Sequence, residues 1–128
     1  MNADERRYLD SISEQVIGAA FEVSNTLGVG FLEKVYERAL YHELKLRGLH
    51  AVAQTSLTVR YKGERVGDYY ADLLVEGKIV VELKCTEHLA KEHTAQCLNY
   101  LKASGKPVCL LINFQKPQLE WKRLVNEF

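Results

Sequence analysis

The stretch ADLLVEGKIVVELKC, residues 71–85, decides how the chain is read, because it alternates like core strand and yet carries Asp72, Glu82 and Lys84 among its aliphatics. An unpaired buried charge costs several kcal/mol, a large share of the roughly 5–15 kcal/mol by which a small domain is stable. These three side chains need partners. Alternation across a sheet puts Val80, Glu82 and Lys84 on one face and Ile79, Val81 and Leu83 on the other. Where Asp72 falls depends on the turn. A two-residue loop at Glu76-Gly77 sets it opposite Val81, whereas a three-residue loop at 76–78 sets it opposite Glu82. Only the odd-length loop, or an equivalent bulge, brings the two carboxylates together.

If they meet, the oxygens of Asp72 and Glu82 with the backbone carbonyl of Leu83 make a donor set for a hard divalent cation such as Mg²⁺. Lys84, on the same face, could then touch the attacking water and the phosphate it attacks. The alternative is a solvated sheet face with Lys84 as an ion-pair partner worth ~0–1 kcal/mol. The spacing alone leaves both open.

Outward from this hairpin, Leu9, Ile12, Val16, Ala19, Val23 and Leu27 recur at three- and four-residue steps and predict a helix over about residues 6–26, ended by Gly28-Val29-Gly30. A second helix is expected over 31–47, with Gly48 as its stop. Short strands are expected at Ala51–Gln54, Leu57–Tyr61, Tyr69–Val75 and Ile79–Cys85. A helix over 90–104 is broken by Gly105-Lys106-Pro107 before the aliphatic run at 108–112, which reads as a strand buried on both faces. Strand, helix, strand implies a right-handed crossover, so 80–85 and 108–114 are expected to be parallel neighbours in a mixed sheet. Leu119–Val125 is either an edge strand or a packing arm. No repeat or linker divides the chain, and 1–128 is expected to form one domain.

The totals exclude several classes. Lys plus Arg and Asp plus Glu are 17 each, so no global field draws the protein to a polyanion, and any such site must be local. No apolar run nears the ~20 residues of a membrane span, and the polar N-terminus lacks a signal-peptide core, so a cytoplasmic location is expected. Cys85, Cys97 and Cys109 lack CxxC spacing and read as reduced thiols. Cys85, His88, His93 and Cys97 offer the ligand types of a structural zinc site, a competing constellation that a chain of this size does not need for folding. Tyr61, Tyr69 and Tyr70 beside Arg60, Lys62 and Arg65 suit either cross-strand packing or stacking on bases.

Three motifs carry a resemblance that extends over about residues 14–125. Gly30, Glu33 and Tyr36 match the signature of the GxxExxY family; Ala71-Asp72 with Glu82-Leu83-Lys84 resembles the core of the PD-(D/E)xK nucleases, with Ala71 where proline is usual; Gln96 and Tyr100 resemble the QxxxY helix of the RecB-like branch. The resemblance implies an α/β (α+β), restriction-endonuclease-like αβββαβ core, its mixed central sheet flanked by helices. It further implies a nuclease that hydrolyses phosphodiesters through a metal-bound water, with Mg or Mn as cofactor and nucleic acid, DNA ahead of RNA, as partner; a homodimer is left open. Asp72, Glu82 and the Leu83 carbonyl would be metal ligands and Lys84 the catalytic lysine. Glu33 would be a further acid, and Gln96 and Tyr100, on one helical face, would orient Lys84, the phosphate or the ligand shell. The alternative function is a catalytically silent binding or dimerisation module on the same fold.

Overall fold

A computed structural model describes residues 1–127. Helix α1 (Ala3–Leu27) starts where the Asn2 side chain accepts a hydrogen bond from the Glu5 amide at 2.8 Å, and it ends at Gly28 in the left-handed region (φ 72°). Its apolar stripe of Leu9, Ile12, Val16 and Val23 is buried. Helix α2 (Glu33–Leu46) lacks a side-chain cap and buries Tyr36, Leu40 and Leu44. It starts two residues later than the spacing predicts, because Phe31 and Leu32 belong to the entry loop.

Five strands follow in the spatial order β1-β2-β3-β4-β5: β1 (Ala51–Tyr61), β2 (Glu64–Val75), β3 (Ile79–Lys84), β4 (Val108–Asn113) and β5 (Glu120–Val125), with α3 (Lys91–Ser104) between β3 and β4. The β3–β4 pair is parallel and the other neighbours are antiparallel, so the sheet is mixed, as the crossover argument requires. β4 is buried along its whole length. The C-terminal run is the edge strand of the two options, pairing Trp121 with Ile112. Two expected short strands, at 51–54 and 57–61, form one strand, and β2 begins five residues earlier than Tyr69.

Helices α1 and α2 cover one face, where Val16, Leu40 and Leu44 meet Leu73, Val81, Leu83, Leu110 and Ile112. Helix α3 covers the other, where Cys97, Tyr100 and Leu101 meet Val80, Cys109, Leu111, Leu57 and Ala71. One detail departs from simple alternation. Ala71 and Leu73 should share a face, yet they belong to opposite layers, as do Leu57 and Ala51 on the paired strand. The pleat is broken between them, at Gln54 and Asp72: the β1–β2 register passes from Ala53↔Leu73 to Thr55↔Ala71 without that pair, and Gln54 takes φ 52°.

Candidate active site

The β2–β3 turn is the three-residue kind. Pairing runs Val75↔Ile79, Leu74↔Val80 and Leu73↔Val81, with Glu76 and Gly77 in the left-handed region, so the next step brings Asp72 opposite Glu82. There the ordinary ladder gives way to side chains. The Asp72 amide donates to Glu82 Oε1 at 3.2 Å, and the Leu83 amide donates to Asp72 Oδ2 at 2.8 Å. Each carboxylate is thus clamped by backbone at the strand facing it. Val80 faces α3, and two residues on, Glu82 lies on that same side and is only 4% exposed. Lys84 ends β3, and its Nζ donates to Gln96 Oε1 on α3 at 3.3 Å.

From the other layer, the first two turns of α2 bring Glu33 and Glu37 toward the charge at Asp72. Glu37 is 6% exposed and held on both sides, by Lys34 Nζ at 2.9 Å and by Gln54 Nε2 at 2.8 Å. Neither Glu37 nor Gln54 was singled out from sequence. The four-residue step from Glu33 to Glu37, one helical face, is a usable signal for the first; the positive φ of Gln54, which bonds to Glu37, has none. Tyr36 proves structural. Its hydroxyl donates to the Gly28 carbonyl at 2.6 Å and accepts from the Phe31 amide at 3.3 Å, and its ring stacks on Phe114 at 4.9 Å. The tyrosine of the Gly30-Glu33-Tyr36 signature therefore staples the loop that delivers Glu33.

Tyr100 is buried one turn beyond Gln96, and its ring meets Tyr69 edge-on at 5.4 Å. Burial, then the charges of Glu82 and Asp72, push its hydroxyl far above the usual range. Asn113, also missed from sequence, is fully buried at the end of β4 and fixes the exit of β3. Its Oδ1 accepts from the Thr86 amide at 3.1 Å, and its Nδ2 donates to the Thr86 carbonyl at 2.9 Å and to Glu120 Oε1 at 3.0 Å.

Electrostatically the cleft is under tension. Burial, then repulsion by Asp72, raises Glu82 from 4.5 to about 9, against the pull of the Asp72 amide and Lys84. Burial also raises Asp72, opposed chiefly by the Leu83 amide. Glu33 is raised by burial and then by Asp72. Among the described residues no three His, Cys, Asp or Glu side chains converge as a ready-made metal-binding group. The donor set is two clamped carboxylates and the nearby main chain. It fits a hard divalent cation, because two acids forced together in a dry site gain what they lack, a positive charge bound through oxygen.

The competing clusters come apart. Cys97 is buried in one cluster with Cys109, His93 Nδ1 accepts from the Ala90 amide at 3.0 Å, and His88 Nδ1 lies 3.0 Å from Lys116 Nζ. The aromatic and basic set at the hairpin also divides: Arg65 pairs with Asp68, Lys62 lies over the Tyr61 ring, and Tyr69 and Arg60 line a groove against α3.

Residues 10–124 match the family model described as the PD-(D/E)XK nuclease superfamily. No curated protein sequence matches the chain. Similar solved structures include SSO0001, at 19% identity and a TM-score of 0.59 over 95% of this chain and 61% of that one. An alkaline exonuclease (LHK-Exo) from Laribacter hongkongensis gives 15% identity and a TM-score of 0.54 over 73% of this chain and 55% of that one. The complex of LHK-Exo with dAMP gives 16% identity and the same TM-score of 0.54, over 73% of this chain and 54% of that one. The chain thus spans 54–61% of the length of these structures, and at such identities the likeness is one of fold.

Proposed function

Because the chain belongs to the PD-(D/E)XK nuclease superfamily, we propose that it is a divalent-metal-dependent nuclease whose centre is Asp72, Glu82 and Lys84. The observation that carries this is the reciprocal pair of carboxylate-to-amide hydrogen bonds between β2 and β3, which holds two acids together against their mutual repulsion. Asp72, Glu82 and the Leu83 carbonyl would hold Mg or Mn. When bound, the ion supplies positive charge to the attacked phosphate and lowers the pKa of the attacking water. Lys84 binds a phosphate oxygen and stabilises the charge that develops there. Gln96 positions the Lys84 ammonium through the bond between them, Tyr100 closes the cleft beside Glu82, and Glu33 contributes a further acidic group at the cleft's edge.

Gly30, Glu33 and Tyr36 favour the GxxExxY group of the superfamily, and Gln96 with Tyr100 the RecB-like branch. The substrate is nucleic acid, DNA ahead of RNA, and the expected setting is the cytoplasm; among the described residues no helix is long and apolar enough to cross a membrane. Incubation of labelled DNA with the protein and Mg²⁺ or Mn²⁺, with and without EDTA, tests the proposal. Cleavage should require the metal and fall by on the order of 10²–10⁴ in Lys84→Ala and Glu82→Gln. Variants that cut like the parent would refute the assignment, and binding without cutting in either metal would favour the silent module.

A further inference from the structure

A groove of about 580 Å³ runs between the β1–β2 hairpin and α3, lined by Arg60, Tyr69, Asn99 and Lys102 and by no acidic residue among those described. In a chain whose charges balance at 17 against 17, that local composition stands out. Helix α3 links it to the cleft. Gln96, which holds Lys84, shares α3 with Asn99 and Lys102 at steps of three and six residues, about 4.5 and 9 Å along the helix. Tyr69, 46% exposed, is propped edge-on by Tyr100, the residue whose hydroxyl feels Glu82 and Asp72.

A tyrosine ring held upright in a cationic groove stacks on a base only if that base offers a free π-face, and in a duplex every such face is already covered. Arg60 from the hairpin wall and Lys102 from the α3 wall suit the phosphates of that strand. We propose that this groove is a single-strand track: it takes the unpaired nucleotides beside the scissile phosphate, with Tyr69 stacking on a base and Arg60 and Lys102 on the backbone. The proposal rests on the nuclease reading for what the track serves, but it makes its own claim about binding.

The test is fluorescence anisotropy of the full chain with a dye-labelled single-stranded DNA oligonucleotide and with its duplex, in EDTA so that nothing is cut. The single strand should bind more tightly than the duplex. Tyr69→Ala should weaken single-strand binding by on the order of 5–100-fold while Tyr69→Phe retains it, and Arg60→Gln should lower the salt slope by about one. Arg60 is exposed, so its substitution tests the track even if Tyr69→Ala unfolds. Equal affinity for duplex and single strand, or unchanged binding in both Tyr69→Ala and Arg60→Gln, would overturn the proposal. Cleavage by the parent with unaltered binding in these variants would sink the track alone; Tyr69-dependent binding without metal-dependent cutting would sink the nuclease reading alone.

Discussion

Replacing Glu82 by glutamine should make the metal-free protein more stable, and increasingly so as pH rises. Glu82 has a folded-state pKa of about 9 against an ordinary 4.5, raised first by burial and then by Asp72. A carboxyl whose pKa is raised on folding carries no penalty below pH 4.5, where it is protonated in both states. Stability is then lost between 4.5 and 9, because the unfolded chain ionises freely and the folded one cannot. At 1.36 kcal/mol per pH unit, three units above the unfolded value give a penalty of about 4 kcal/mol near pH 7.5. Water entering the cleft relieves part of it, so a gain of about 1–3 kcal/mol, or about 4–12 °C in Tm, is expected of Glu82→Gln. Glutamine keeps the oxygen that accepts from the Asp72 amide, so the clamp survives. Thermal melts in EDTA from pH 5 to 9 should show the two proteins converging at the acid end and separating at the alkaline end. Saturating Mg²⁺ should then raise the Tm of the parent more than that of the variant. A variant no more stable at pH 8, or a gap that does not change with pH, would refute the account of the buried acid pair.

Gln96→Ala, which removes the acceptor of Lys84, should lower kcat about 10–100-fold with little change in KM, and Gln96→Glu should recover part of the loss in single-turnover assays. Tyr36→Phe keeps the stack on Phe114 but loses both hydroxyl bonds to the entry loop; urea denaturation should show a loss of about 1–2 kcal/mol. Asn113→Ala strands the polar groups of Thr86 and should cost about 2–3 kcal/mol in the same assay, with faster hydrogen exchange at the Thr86 amide.

Much of this architecture is legible in sequence because burial writes a period into it. The stripe from Leu9 to Val23, the unbroken aliphatics at 108–112 and the strand-helix-strand order around Gly105 predict the helices, the central strand and its parallel neighbour. The turn at 76–78 is ambiguous in sequence, since Glu76-Gly77 alone would serve a two-residue hairpin; only the register shows Val75 opposite Ile79. The family resemblance singles out Asp72, Glu82, Lys84 and Gln96, of which the structure pairs Asp72 with Glu82 and Lys84 with Gln96, and Tyr36, whose work is to hold a loop. Glu37, Gln54 and Asn113 escaped because their importance comes from long-range partners: Gln54 from α2 and Asn113 from Thr86 and Glu120. A polar residue's burial is decided by what folds over it, and no local pattern records that.

The break in the pleat explains why the acids sit where they do. β1 and β2 must serve two layers, supplying Ala51, Leu73 and Val75 to the α1–α2 side and Leu57 and Ala71 to the α3 side. Strict alternation would put all of these odd-numbered residues on one face, so the strands turn over at Gln54 and Asp72, where Gln54 occupies the left-handed region that non-glycine residues seldom adopt. Main-chain amides at such a break lose their usual acceptors and must find others. The carboxylates of Glu82 and Asp72 fill that need for the Asp72 and Leu83 amides, so the same two bonds that complete the backbone also confine negative charge in a buried cleft. Stability and the proposed chemistry are therefore in opposition at one place: hydrogen bonding holds the acids in, desolvation and mutual repulsion push against their charge, and on the proposed reading a divalent cation would resolve the conflict, with Lys84 left beside it to meet a phosphate.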